Sequence, residues 1–135
     1  MKVLFVEDEP WHIQALIAAL ESRGVDCILA PNMSEGVMAL QLQEVSALVT
    51  DIMMPPGPLF PKVDADESGF HFIEHVQEHW PRLPIVCLSV IADQAKIRLL
   101  EKRGVRYLRK GETPLSTAVE VVTAVAEGRR VRPRP

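Results

Sequence analysis

Polar side chains lie at or directly after the ends of four short apolar runs in this sequence, and their types suggest one chemistry. In chain order they are Glu7, Asp8, Glu9, Asp51, Ser89 and Lys110. If the fold gathers these residues, the acids repel one another, and a divalent cation with oxygen ligands relieves that repulsion. A carboxylate, a hydroxyl and an ammonium group beside Mg²⁺ are the components of a phosphoryl-transfer site.

Each residue type in this set has a definite use in phosphoryl transfer. The carboxylate of Asp51 is a nucleophile that can accept a phosphoryl group. The Lys110 ammonium adds a movable positive charge, and the Ser89 hydroxyl can donate a hydrogen bond to a bound anion. A lone Asp that caps a loop, or a lone solvated Lys, would be ordinary. The prediction therefore rests on the combination of these residues at the ends of different apolar runs.

The apolar runs that position these residues predict buried strands. They span 2–6, 26–30, 47–50, 84–89 and 105–108, and they are rich in Val, Ile and Leu without polar alternation. Runs of this kind are typical of parallel strands that helices cover on both faces. We expect no nearby fixed cation at the acidic edge of this sheet, so that a metal ion must balance its charge.

Segments with the helical spacing of apolar residues follow the five runs. The first ends at Gly24, and the second has Asn32 or Ser34 as its cap. The third is centred on Phe72, Ile73 and Val76, and the fourth covers 92–103. The fifth follows Thr113 as cap, with Pro114 in its first turn. Right-handed crossovers turn this order into a doubly wound, three-layer α/β sheet. In such a sheet, function gathers at the carboxyl ends of the strands.

Length and composition limit the classes of protein that this chain represents. With 135 residues, 47% hydrophobic and 24% charged, it has the size and content of one soluble globular domain. The net charge of −3 gives no reason to expect nucleic acid or a membrane as a direct partner. Acids appear after six residues, too early for a signal peptide, and the two cysteines are expected to stay reduced. We therefore expect a cytoplasmic protein.

Together, the motifs resemble the receiver domain of bacterial two-component response regulators. The segments that carry the resemblance are VLFVEDEP, LVTDIMMPP, PIVCLSV and VRYLRKG, and they span Lys2 to about Glu127. The resemblance implies a flavodoxin-like sheet of five parallel strands in the order 2-1-3-4-5, with five helices. We expect the receiver domain to cover 1–128 and an Arg- and Pro-rich tail to cover 129–135.

By this resemblance, the site residues divide into metal ligands and phosphoryl contacts. Asp51 is the phospho-acceptor and a Mg²⁺ ligand, Asp8 is a direct ligand, and Glu7 acts mainly through water. The backbone carbonyl of Met53 supplies a further ligand.

Three more residues complete the family's site and its switch. Ser89 and Lys110 contact the phosphoryl group, and Tyr107 is the aromatic residue whose rotamer follows Ser89. The donor is a phosphohistidine on a histidine kinase or a histidine phosphotransfer protein. Phosphorylation biases a two-state surface of helix four, strand five and helix five, to which a downstream effector protein binds.

Single residues near the predicted site depart from the family's pattern. Val90 stands where the family usually has a smaller residue, and its bulk is expected to narrow access to the pocket. Gly111 follows Lys110 where proline is usual, which argues against the cis peptide bond that aims the lysine. Met53 and Ile91 are apolar and poor at orienting water, so we predict slow loss of phosphate.

A longer departure follows the third strand. The stretch from Asp51 to Gly69 is about twice as long as the family's crossing, because of an insertion over about 55–68 that is rich in proline and acids. Its prolines are expected to stiffen it in an extended form. A lid, a surface that selects the kinase and a tolerated surface insertion remain open alternatives.

Other classes of function are weighed against the same residues. A haloacid-dehalogenase-like phosphatase needs a second acid two residues after its nucleophile, where Met53 stands. A flavin or nucleotide binder needs a first loop rich in Ser, Thr or Gly, whereas the acids at 7–9 would repel phosphate. The open alternative is a phosphorylation-independent receiver that acts as a protein–protein adaptor. A homodimer through the apolar face of the last helix also stays open.

Overall fold

Five β strands alternate with five α helices along the chain, in the order that the sequence predicts. The computed structural model describes residues 1–53, 57–59, 68–90 and 93–128. The strands are β1 (Lys2–Val6), β2 (Asp26–Ala30), β3 (Ala47–Thr50), β4 (Ile85–Ser89) and β5 (Arg106–Arg109). The helices are α1 (Gln14–Glu21), α2 (Met33–Leu42), α3 (Ser68–His79), α4 (Gln94–Lys102) and α5 (Leu115–Ala126), and a 3₁₀ turn at Pro10–His12 precedes α1.

The strands form one parallel sheet in the order β2-β1-β3-β4-β5. Phe5 of β1 lies level with Leu29 of β2 on one side and with Val49 of β3 on the other. The predicted doubly wound sheet and its strand order are therefore confirmed. Because all five strands run in the same direction, their carboxyl ends meet at one end of the sheet. Glu7, Asp51 and Lys110 directly follow three of those ends, and Ser89 is the last residue of β4.

Two apolar clusters cover the two faces of the sheet and make it the middle of three layers. Leu4 and Val6 pack with α2, α3 and α4, whereas Val3 and Phe5 pack with α1 and α5. This alternation is the two-residue period of a strand that is buried on both faces. All four side chains are at most 1% exposed, and burial of each stabilises the fold by about 1.5–3 kcal/mol. The acids that follow β1 are thus attached to a strand that is tightly packed on both faces.

The helix starts confirm some of the predicted caps and correct one. Asn32 caps α2, because its side-chain oxygen accepts a hydrogen bond from the Glu35 N–H at 2.9 Å, and Ser34 lies inside the helix. The prediction that Thr113 caps α5 is wrong. Pro114 occupies that position, with extended backbone and no side-chain hydrogen bond. Pro114 fits there because its fixed φ is compatible with a helix entrance and its missing N–H is not needed.

The remaining expectations concern the cysteines, membrane-spanning helices, and the tail and insertion. Cys27 and Cys87 are free thiols, as predicted, and burial raises the pKa of Cys27 to about 11. Within the described part of the chain, no helix has the length and apolar character to cross a membrane. The predicted tail over 129–135, Ile91 and most of the insertion over 55–68 lie outside the described residues.

Candidate functional site

Asp51 directly follows β3 and is held by the backbone around it. Its N–H donates to the Val6 carbonyl of β1 at 3.2 Å, which extends the pairing of β3 with β1 by one residue. Its Oδ1 accepts hydrogen bonds from the N–H groups of Ile52 at 2.6 Å and Met53 at 3.3 Å. The residue is only 8% exposed. One carboxylate oxygen is therefore fixed by the backbone, while the other faces the neighbouring strand ends.

Lys110 joins the carboxylates that follow β1 and β3. Its Nζ donates to Asp51 Oδ2 at 2.7 Å and to Glu7 Oε1, and its side chain is 11% exposed. Its backbone N–H also donates to the Ser89 carbonyl at 2.9 Å, which ties it to the end of β4. We call Glu7, Asp51 and Lys110 the strand-end cluster. It corrects the expectation that the acidic edge has no fixed cation nearby.

Burial and ion pairing act against each other in the strand-end cluster. Burial raises the pKa of Glu7, and the hydrogen bond and charge of Lys110 offset only part of that rise. Burial alone would lower the pKa of Lys110, but its hydrogen bonds to Asp51 and Glu7 outweigh burial and leave that pKa raised. Lys110 therefore stays charged at neutral pH and offsets part of the charge of the two buried acids.

The donor atoms of this cluster suit a hard divalent cation. Oxygens of Glu7 and Asp51 converge on one ammonium group, so both face a position that favours positive charge. Carboxylate and carbonyl oxygens are the ligands that Mg²⁺ prefers. Among the described residues, however, no group of three or more His, Cys, Asp or Glu side chains is placed to hold a metal ion. The structure thus brings Glu7 and Asp51 together, and the metal-ligand roles of Glu7, Asp8, Asp51 and Met53 all stay predictions.

Ser89 and Tyr107, the predicted switch pair, are neighbours. Ser89 is fully buried, and its Oγ has no hydrogen-bond partner among the described residues. A buried hydroxyl without a partner costs about 1–3 kcal/mol. The Ser89 hydroxyl is therefore available to donate a hydrogen bond to a ligand oxygen. The Tyr107 hydroxyl donates to the Ser89 carbonyl at 3.3 Å. Burial raises the pKa of Tyr107, so this hydroxyl keeps its proton at neutral pH.

The turn after Lys110 depends on a glycine. Gly111 has a φ of +79°, a conformation that strains every residue with a Cβ. The Arg109 carbonyl accepts hydrogen bonds from the N–H groups of Glu112 at 3.3 Å and Thr113 at 3.0 Å, and these bonds close the turn around Lys110. No peptide bond of the described residues is cis. Lys110 therefore reaches Asp51 from a trans, left-handed turn.

The chain directly after the insertion is fixed beside the site. The Gly69 N–H donates to the Ile52 carbonyl at 2.7 Å, and a Cβ on Gly69 would collide with the backbone of Ile52. Only glycine can approach the chain after Asp51 so closely. This contact was not predicted from the sequence, although an isolated glycine at a loop end is a signal for close backbone approach.

A short part of the insertion is also bound to α2. Residues 57–59, which we call the docked turn, lie against the first turn of that helix. The Leu59 N–H donates to Ser34 Oγ at 2.8 Å, and Ser34 is 1% exposed. Sequence reasoning missed this contact as well, because it joins residues that are far apart in the chain and no motif marks it.

The chain matches known proteins over most of its length. The family model of the response regulator receiver domain matches residues 3–122. The transcriptional regulatory protein BasR of Escherichia coli strain K12 is 28% identical over 89 residues, which are 66% of this chain and 36% of that protein. The chain thus spans about a third of the length of this relative.

Solved structures of similar proteins share the fold. The receiver domain of the Francisella response regulator 1452 has a TM-score of 0.76 at 20% identity, over 94% of this chain and 97% of that one. The CheY-like receiver domain protein of Methanospirillum hungatei JF-1 has a TM-score of 0.77 at 16% identity, over 94% of each chain. The isolated REC domain of RcsB from Salmonella enterica serovar Typhimurium has a TM-score of 0.79 at 18% identity, over 98% of this chain and 93% of that one.

Proposed function

The chain belongs to the response regulator receiver domain family, and from this premise we propose that Asp51 accepts a phosphoryl group from a phosphohistidine. The donor is a histidine kinase or a histidine phosphotransfer protein in the cytoplasm, and the receiver domain covers 1–128. The observation that carries this proposal is the geometry of Asp51. Its Oδ1 is held by two backbone N–H groups and its Oδ2 by Lys110, in a nearly buried position.

The residues of the site have distinct tasks in this transfer. An oxygen of the Asp51 carboxylate attacks the phosphorus atom, the P–N bond to the donor imidazole breaks, and the imidazole leaves with the electron pair of that bond. Lys110, already bonded to Asp51 Oδ2, neutralises charge on the phosphoryl oxygens. The buried hydroxyl of Ser89 donates to one of those oxygens. The chain thus orients the nucleophile and stabilises charge, and the donor supplies the reactive bond.

A metal ion belongs to this proposal. We assign Mg²⁺ to Asp51, Asp8 and the carbonyl of Met53, with Glu7 acting through water. When bound, Mg²⁺ neutralises charge on the acceptor and on the phosphoryl oxygens. The support is the donor chemistry: Glu7 and Asp51 already present carboxylate oxygens to one cationic group.

Phosphorylation would be read out through Ser89 and Tyr107. Movement of Ser89 towards a phosphoryl oxygen changes the neighbourhood of the Tyr107 hydroxyl, which is bonded to the Ser89 carbonyl. Tyr107 lies in β5, so its rotamer alters the surface formed by α4, β5 and α5. We propose that a downstream effector protein binds this surface, without direct contact to nucleic acid or membrane. A second copy of the chain is an alternative partner for the same surface.

Two structural neighbours support the choice of a phosphoryl ligand. The REC domain of RcsB was solved with a phosphomimetic, BeF₃⁻. The NtrC4 receiver domain, with a TM-score of 0.78 at 20% identity, is described as a beryllofluoride-activated dimer. A ¹⁹F NMR titration with beryllofluoride and Mg²⁺ tests the proposal here. We expect bound signals in the wild type and none in Asp51→Asn, and equal spectra for the two proteins would refute it.

A second candidate function is the phosphorylation-independent adaptor. One observation favours it: the Lys110 ammonium group hydrogen-bonds to both Glu7 and Asp51 without any ligand, so side chains of the domain itself hold the site together. An adaptor would bind its effector equally well as the wild type and as Asp51→Asn, with or without Mg²⁺ and a phosphodonor. A change in effector affinity on phosphorylation would rule this function out.

A further inference from the structure

The docked turn, residues 57–59, is fixed against the start of α2 by its backbone. Gly57 has a φ of +78°, and a Cβ there would lie 2.6 Å from Ser34 Oγ and 2.7 Å from Asn32 Oδ1. Its backbone therefore packs directly on the side chains that begin α2. Two residues later, the Leu59 N–H donates to the Ser34 hydroxyl. A glycine that permits close approach and a long-range hydrogen bond together fix this turn.

The fixed backbone holds an apolar side chain out in solvent. Leu59 is 53% exposed, although its N–H is bonded to a buried hydroxyl. Covering the start of α2 requires only the backbone of the turn and does not require an exposed leucine. An exposed apolar side chain on an ordered backbone suits contact with a protein partner, because little conformational freedom is lost when the partner packs on it.

The docked turn lies at the same end of the sheet as the strand-end cluster. It rests on the first turn of α2, which directly follows β2, and the Ala30 carbonyl at the end of β2 accepts a hydrogen bond from the Glu7 N–H. Among the further exposed apolar residues of this end, Met53 is 47% exposed and Val90 is 60% exposed. Met53 and Val90 follow Asp51 and Ser89 closely in the chain, so the loops beside the acceptor carry apolar side chains.

We propose that Leu59, held by the docked turn, is part of the surface that receives the protein phosphodonor. This inference rests on the proposed function of Asp51. The acceptor is only 8% exposed, so a protein that delivers a phosphohistidine to it must press its surface against the surrounding loops. The partner is a protein whose reactive histidine is flanked by apolar side chains. A small phosphodonor reaches Asp51 without contacting Leu59.

A pair of matched leucines tests this inference. Leu59 stands at the acceptor end of the sheet, whereas Leu42, 79% exposed, ends α2 at the opposite end. The probes are acetyl phosphate and the phosphorylated kinase domain that transfers fastest to the wild type in a panel of histidine kinases. We expect Leu59→Ser to lower kcat/KM for the kinase domain about tenfold, as for an interface residue of moderate importance, and to leave the rate with acetyl phosphate unchanged. Leu42→Ser should alter neither rate.

The anchor of the turn gives an independent test. Ser34→Ala removes the acceptor of the Leu59 N–H, and Gly57→Ala forces the turn away from α2. Both variants should lower transfer from the kinase domain in the same direction as Leu59→Ser, and Leu59→Met should retain wild-type transfer because it keeps an apolar side chain.

The outcomes separate this inference from the proposed function. Wild-type kcat/KM in Leu59→Ser with the kinase domain would overturn the inference alone, and so would an equal loss in Leu42→Ser. An equal loss with acetyl phosphate and with the kinase domain would also overturn it, because the substitution would then act on the acceptor site itself. If Asp51 of the wild type takes a phosphoryl group from neither donor, the proposed function fails and the inference fails with it.

Discussion

The strand-end cluster and the docked turn lie at the same end of the sheet, yet they are built in different ways. The cluster joins Glu7, Asp51 and Lys110 through charged side chains that follow three different strands. The docked turn is attached to α2 by a backbone N–H and by the absence of a side chain at Gly57. Residue type therefore reveals chemistry where side chains meet, and it reveals little where backbone makes the contact.

The largest effect is expected from removing the cation of the cluster. Lys110→Ala leaves Glu7 and Asp51 buried without their partner, which should lower the free energy of unfolding by about 3 kcal/mol. It should also slow phosphorylation by acetyl phosphate about 100-fold, because charge on the phosphoryl oxygens is no longer neutralised. Chemical denaturation and intact-mass kinetics measure the two effects. Lys110→Met, of similar length but uncharged, is the control, and a rate near that of the wild type in either variant would contradict this role.

Substitutions at two glycine turns distinguish an effect on the position of Lys110 from a general loss of stability. Gly111 and Gly104 have φ values of +79° and +80°, and a Cβ on either would meet no atom within 4 Å. Each change to Ala should therefore lower the free energy of unfolding by about 1 kcal/mol through backbone strain alone. Only Gly111→Ala should also slow phosphorylation, by about tenfold, because it shifts the lysine. Equal phosphorylation rates in the two variants would show that the turn does not aim Lys110.

The packing of the docked turn against α2 is tested by substitution of Gly57, with Gly24 as the matched control. Gly57 and Gly24 share a positive φ, but only Gly57 lies against other side chains. Gly24→Ala should cost about 1 kcal/mol, and Gly57→Ala should cost about 2 kcal/mol because steric overlap adds to the strain. Thermal and urea unfolding provide the comparison. If the two costs are equal, the turn is not held against α2 as described.

The smallest effect concerns the pH dependence of stability in metal-free buffer. The folded-state pKa of Glu7 is raised above its ordinary value of 4.5, so the folded protein binds this proton more tightly than the unfolded chain does. The resulting stabilisation is fully present below pH 4.5 and is lost as pH rises through the raised pKa. Glu7→Gln removes this term. Its free energy of unfolding relative to the wild type should therefore be higher at pH 7 than at pH 4, and a difference that is independent of pH would contradict the assignment.

The fold was largely predictable because its signals are local. The apolar runs around Phe5 and Val49 lack polar alternation, and both became strands buried on two faces. Asn32 was one of two predicted caps because residues of its type satisfy the free N–H groups of a helix start. Thr113 failed as a cap because the backbone enters α5 through Pro114, and residue type alone does not determine that path.

The proximity of Asp51 and Lys110 was predictable, and the contacts between them were less so. Asp51 and Lys110 were found because each follows an apolar run that ends at the same side of a parallel sheet. Their direct ion pair with Glu7 was not predicted, because it depends on the reach of one lysine side chain from a left-handed turn. The contact between Ser34 and Leu59 could not be predicted, since it depends on the path of the chain between distant residues.

The role of Asp51 as phospho-acceptor is tested most directly by the intact mass of the protein after incubation with acetyl phosphate and Mg²⁺. We predict that the wild type gains the mass of one phosphoryl group, that Asp51→Asn gains none, and that a chelator prevents the gain. An unmodified wild type would contradict this role, and so would an equal gain in Asp51→Asn.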